Sequence, residues 1–188
     1  MKKKVILGSN SPRRKELLKS INIDFEVRKR KIEEIFPNTH PVKEVAEYLA
    51  RMKASAFEDD MSADEVVITA DTIVVLGNKL YGKAKDETEA LQMLKELSGN
   101  THSVITAVCL TTTEKQTLFS SETLVTFKNL SETELKFYIK NFKPFDKAGA
   151  YGIQEWIGMV GVEKIEGSYY NVVGLPLDKL YTALKKFI

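Results

Sequence analysis

Gly8-Ser9-Asn10-Ser11-Pro12-Arg13-Arg14 joins a short strand pattern, Lys4 to Leu7, to a helix pattern that runs to about Ser20. Ser11 suits the N-cap and Pro12 the first helical position. Such a junction of small residues turns backbone N–H groups into the loop. Arg13 and Arg14 then fall in the first helical turn, at the end where the helix dipole is already positive. An anion such as a polyphosphate resolves that conflict, with guanidinium forks gripping its oxygens. Ser9, Asn10, Arg13 and Arg14 are thus substrate-binding candidates. The alternative is a pair of solvated arginines that costs roughly a few tenths of a kcal/mol. The G-x-x-x-x-G-K-[ST] phosphate loop is absent.

Asp71 interrupts the apolar run Val66 to Leu76. Either a strand end or bulge exposes it to water, or a cation or metal pairs with it, because a lone buried carboxylate is expensive. Lys53 projects between Val42 and Ala46 at the edge of a helix's apolar arc, where a lysine ordinarily carries its amine out to water unless a partner holds it. Lys83 stands in a basic loop, Gly82-Lys83-Ala84-Lys85, and the adjacent acids Glu33 and Glu34 are weak candidates for Mg²⁺. His40, His102 and Cys109 have no ligand or triad spacing and receive no role.

The elements that must position these groups alternate between helix and strand. Periodicity predicts a strand near Ile23 to Val27 and a helix from Pro41 whose apolar face is Val42, Val45, Ala46, Leu49, Met52 and Ala56. Val66 to Leu76 reads as strand, with a hairpin turn at Gly77-Asn78. Asp86 and Glu89 start a helix that Gly99 ends, and Ser131 and Glu134 form a capping box for a helix with Leu135, Tyr138, Ile139 and Phe142 inward. Long strands are expected from His102 to Thr112 and from Thr117 to Lys128, a hairpin around Met159 to Ile165, and a last helix after Pro176. The expected fold is α/β, a mixed twisted sheet flanked by helices, in one domain spanning 1–188.

Composition narrows the function classes. Lys and Arg number 28 against 26 Asp and Glu, a net charge of +2, so no broad basic surface for nucleic acid or membrane is expected. Any basic function is local. The single cysteine, Cys109, permits no intrachain disulfide, which fits a reducing, cytoplasmic compartment. The apolar run behind the N-terminal lysines, Val5 to Leu7, is too short for a secretion signal, and no stretch reaches the length of a membrane span.

Taken in order, S-N-S-P-R-R-K-E-L-L (Ser9 to Leu18), A-R-M-K-A (Ala50 to Ala54), A-D-T-I-V-V (Ala70 to Val75), G-K-A-K-D (Gly82 to Asp86), L-S-G-N-T-H (Leu97 to His102), D-K-A-G-A-Y-G-I-Q (Asp146 to Gln154) and G-S-Y-Y-N-V-V-G-L-P (Gly167 to Pro176) resemble the Maf family of nucleoside triphosphate pyrophosphatases over nearly the whole chain. A-D-T followed by Y-G-I-Q resembles the branch acting on dTTP and UTP. The resemblance implies two lobes around a nucleotide-binding cleft, a divalent cation (Mg²⁺ or Mn²⁺) and release of pyrophosphate. It matches Asp71 to the proton acceptor, Arg13, Thr72 and Gln154 to base selection, and Ser9, Arg14, Glu34, Lys53 and Lys83 to polar positions of the site. On this reading Asp71, Lys53 and Lys83 are catalytic, and Glu34 and Asp71 hold metal, with Glu33 not separable from Glu34. Ala84 stands where the family commonly has proline, and Glu155 where glycine is frequent, a change expected to alter the rim of the base pocket. A nucleotide-sensing regulator of septum formation is the rival class, the same chemistry on another nucleotide the nearer alternative, and a homodimer stays open.

Overall fold

The computed structural model describes residues 2–37 and 39–188. The chain folds as β1 (Lys4–Leu7), α1 (Pro12–Ser20), β2 (Glu26–Val27), a 3₁₀ turn (Val42–Glu44), α2 (Val45–Ser55), β3 (Glu65–Leu76), β4 (Lys79–Tyr81), α3 (Glu87–Leu97), β5 (Thr101–Thr111), β6 (Gln116–Phe127), α4 (Glu132–Phe142), α5 (Trp156–Gly161), β7 (Val162–Glu166), α6 (Tyr169–Val173) and α7 (Leu177–Leu184). The strands form one seven-stranded mixed sheet in the order β2-β1-β3-β5-β6-β7, with β4 paired to β3. β1 runs parallel to both β2 and β3, whereas β3–β4 and β6–β7 are antiparallel. The α/β class expected from the alternating pattern is therefore correct.

The chain divides into two compact units. The first comprises Met1–Asp71, Thr106–Ser121 and Gly174–Ile188. Its centre includes Ile6, Phe57 and Val67. Val5, Ile6 and Leu7 are all buried, the continuous apolar run of a strand covered on both faces. Gly8 ends that strand where a Cβ would lie 2.9 Å from the Phe57 ring and 3.0 Å from the Thr69 methyl, so a larger residue would push the strand–helix junction off its support. Ser11 caps α1 by accepting from the Arg14 N–H, as its sequence position dictates.

The second unit comprises Thr72–Ile105 and Glu122–Val173. Its core gathers Leu94, Leu97, Phe127, Leu135, Tyr138, Tyr151 and Ile157. The Ser131–Glu134 capping box forms in full. At the start of α3 the cap differs slightly: Asp86 accepts from the Glu89 N–H, but the Glu89 carboxylate reaches the Lys85 N–H, one residue before the cap.

Four expectations need correction. The extended segment at Ile23–Val27 pairs only at Glu26–Val27. Pro41 starts a 3₁₀ turn and not the α-helix, which begins at Val45 and buries Ala50 and Ala54, while Ala56 is exposed. Phe142, the last residue of α4, stays 37% exposed because it stacks on Tyr138 at 5.2 Å and does not insert beside it. The hairpin around Met159 does not form. Val162–Glu166 finds its antiparallel partner in β6, at Val125↔Ile165, so Trp156–Gly161 has no strand to pair with and coils as α5.

Candidate active site

Within the first unit, β3 carries Asp71 at the end of a stretch buried without interruption from Glu65. Asp71 is only 8% exposed, so the water-facing alternative is excluded. Its partner is Lys53 from α2, whose Nζ donates to Asp71 Oδ1 at 2.5 Å. The same ammonium pairs with Glu34 Oε1 at 2.7 Å. Lys53 therefore does not carry its amine out to water: its side chain, 15% exposed, bends to two acids that stabilise its charge. This geometry also separates the adjacent glutamates, since Glu34 is the one whose carboxylate reaches Lys53.

Burial raises the pKa of Asp71, and the neighbouring Glu34 charge adds to the rise. The Lys53 and Arg14 charges act the other way. A carboxylate held between these influences has the proton affinity of a better base than an exposed aspartate, while its lysine keeps it in place.

The junction after β1 differs from the open cradle expected of it. The Ser11 N–H is taken by Ser9 Oγ at 3.2 Å, and the Arg14 N–H by Ser11 Oγ at 3.4 Å. Arg14 turns back into the protein. Its Nε donates to the Gly174 carbonyl at 3.0 Å, and Nη1 to the Ala70 carbonyl at 2.9 Å and Ser9 Oγ at 3.4 Å. Burial lowers its pKa, though a guanidinium remains charged. Arg14 thus ties α1 to the residue preceding Asp71, a bracing task that nothing in the local sequence signalled. Arg13 is half-buried and Asn10 exposed.

The second unit holds the other candidates. Thr72 is half-buried and Lys83 exposed. The Lys83 backbone bridges to Ala148, and the Gly149 N–H donates to the Gly82 carbonyl at 2.9 Å, so the basic loop is stitched to the segment that leads to Gln154. Ala84, in place of a stiffening proline, is buried at 5% exposure, so packing fixes the loop there. Gln154 is exposed between the buried Ile153 and the half-buried Glu155. Its neighbour Glu155 pairs with Lys147, which is 8% exposed. The D-K-A-G-A-Y motif contained Lys147, but no spacing rule connects it to an acid eight positions on. His102 is buried with Nε2 2.7 Å from the Tyr151 hydroxyl.

Among the described residues no group of three or more His, Cys, Asp or Glu converges as a metal cage. Nor, among them, is any helix long and apolar enough to cross a membrane.

Comparison with known proteins adds an independent observation. A family model described as "Maf-like protein" matches residues 4–187. The dTTP/UTP pyrophosphatase of Flavobacterium psychrophilum is 52% identical over 181 residues, covering 96% of this chain and 93% of that protein. The protein of the same name from Phocaeicola vulgatus is 55% identical over 186 residues, covering 98% of this chain and 96% of its own. Similarity to the solved Staphylococcus aureus Ham1 protein is weaker, with a TM-score of 0.49 and 16% identity over 66% of this chain and 72% of that one.

Proposed function

Because this chain belongs to the Maf family, we propose that it hydrolyses dTTP and UTP to the monophosphate and pyrophosphate. The observation that carries the assignment is the half-buried Lys53 ammonium held between Glu34 and Asp71. Asp71 accepts the proton of the water that attacks the α-phosphorus. Its raised proton affinity suits that task, and Lys53 holds the carboxylate oriented for it. Lys83 and Arg13 meet the charge of the phosphates, and Lys83 continues to hold the pyrophosphate as it leaves. No covalent intermediate enters, because the reaction needs only a positioned water and a base. Gln154 reads the edge of the base: uracil and thymine present an N–H between two carbonyls, which an amide can both accept from and donate to. Thr72 takes part in base selection, and Ser9 and Asn10 bind substrate.

Glu34 and Asp71 are hard oxygen donors of the type from which Mg²⁺ or Mn²⁺ takes one or two ligands, with phosphates and water completing the shell. When bound, the cation would supply positive charge at the phosphates. The buried Cys109 accords with a reducing, cytoplasmic setting.

The test is product identity. With dTTP and Mg²⁺, phosphorus NMR is expected to show dTMP and pyrophosphate rising together. Orthophosphate and dTDP as first products would place the attack at the γ-phosphorus and overturn the assignment.

A further inference from the structure

Gln154 sits inside a four-residue turn closed by the Glu155 N–H donating to the Gly152 carbonyl at 3.0 Å. The turn rests on a charge network centred on the buried Lys147. Lys147 Nζ lies 3.0 Å from Glu155 Oε1 and 2.8 Å from Asp146 Oδ1. The other Glu155 oxygen accepts from the Tyr138 hydroxyl of α4. That hydroxyl in turn accepts from the Gly152 N–H at 2.9 Å. Side chains therefore link both ends of the turn, Gly152 and Glu155, through one phenol. The space is filled as well: a Cβ on Gly152 would lie 2.9 Å from the Glu155 carboxyl carbon and 3.0 Å from Lys147 Cε. Upstream, Gly149 and Ala150 hold φ of 68° and 56°, so the approach to the turn is equally restricted.

We propose that Glu155 is a positioning residue for base selection, acting through Gln154. A glutamine amide reads a base edge only where its Cα is held at a set distance and angle to the ring, because a shift of the backbone carries both its donor and its acceptor out of hydrogen-bond reach. Glu155 fixes it, anchored by Lys147 on one oxygen and Tyr138 on the other. Burial pushes the Tyr138 phenol pKa up, which keeps the proton on the hydroxyl that Glu155 needs as a donor. The inference rests on Gln154 reading the base and extends that reading to the residues behind it.

The experiment is a double-mutant cycle read as the ratio of kcat/KM for dTTP to that for CTP. Glu155→Ala and Tyr138→Phe are each expected to lower the ratio roughly tenfold, through KM for dTTP with kcat little changed. In a Gln154→Ala background, Glu155→Ala is expected to shift the ratio no further. If Gln154→Ala alone leaves the ratio unchanged, the base-reading role of Gln154 fails, and the inference with it. If Gln154→Ala shifts the ratio while Glu155→Ala and Tyr138→Phe do not, only the inference fails. An equal shift in both backgrounds overturns it too, because Glu155 would then act independently of Gln154. Equal losses of kcat for both nucleotides show a merely structural role and also overturn it. Should Glu155→Ala lack a cooperative thermal transition, Glu155→Gln, which keeps an acceptor for Tyr138 but loses the charge pair, carries the same cycle.

Discussion

Lys53 is the residue on which the candidate chemistry turns, because one half-buried ammonium holds both Glu34 and Asp71. Asp71→Asn keeps the shape and the place in β3 but removes the carboxylate proposed to accept the proton. Turnover of dTTP is expected to fall at least ~10²-fold, while binding of a non-hydrolysable analogue persists. Near-normal turnover would exclude Asp71 as the base. For Gln154 the expected signature is selectivity. Gln154→Glu keeps an acceptor and loses the donor, leaving a base carbonyl unpaired at about 1–3 kcal/mol, or roughly 10–100-fold in kcat/KM for dTTP. CTP suffers less, since its exocyclic amine can donate to the new carboxylate. Parallel assays on dTTP and CTP decide the matter: an equal decline would mean that Gln154 supports the fold and reads nothing. Glu155 pairs with Tyr138 and Lys147.

At the scale of elements, local signals were legible and long-range ones were not. The caps at Ser11 and Ser131 could be read from the sequence because the bonds that make them span three residues. The fate of Trp156–Gly161 could not, because it depends on which strand claims Val162–Glu166, and that strand lies some forty residues earlier in β6. β5 presents a measurable consequence of such distant packing. His102 is enclosed by Phe127 and Tyr151, and burial lowers its pKa to about 4. In the unfolded chain a histidine titrates near 6.5, so between that pH and about 4 the unfolded state binds a proton that the folded state refuses. Stability is therefore fully present above the unfolded pKa and declines as pH falls through this window, by up to about 1.4 kcal/mol per pH unit. His102→Gln gives Tyr151 a partner that does not titrate. Denaturant unfolding at pH 7.5, 6 and 5 is expected to show the gap between wild type and variant narrowing as pH falls. A constant gap would mean that His102 titrates alike in both states.

For the whole molecule, the balance of charge is instructive. A net charge of +2 favours no broad affinity for polyanions, so the proposed binding of a triphosphate is expected to rest on particular side chains. A non-hydrolysable dTTP analogue with Mg²⁺ is expected to raise the thermal midpoint, by the equivalent of about 2.7 kcal/mol at a hundredfold excess over Kd. With EDTA in place of Mg²⁺ the rise should be much smaller. Equal shifts in the two conditions, measured by calorimetry, would remove the cation from the binding step.

The sequence by itself determined most of the elements and the family, because helix periods, caps and ordered motifs such as S-N-S-P-R-R and Y-G-I-Q are encoded over a few neighbouring residues. It left Asp71 between exposure and pairing, and Lys53 between solvent and a partner, since neither residue carries a local sign of the other eighteen positions away. Only the tertiary structure joined them, by setting α2 against β3 so that Lys53 meets Asp71. It likewise gave Arg14 its carbonyl partners at Ala70 and Gly174 and set the buried Lys147 against Glu155. The physical reason is common to all three. A charge removed from water must find its counterpart, and which counterpart lies within reach is a property of the packed chain.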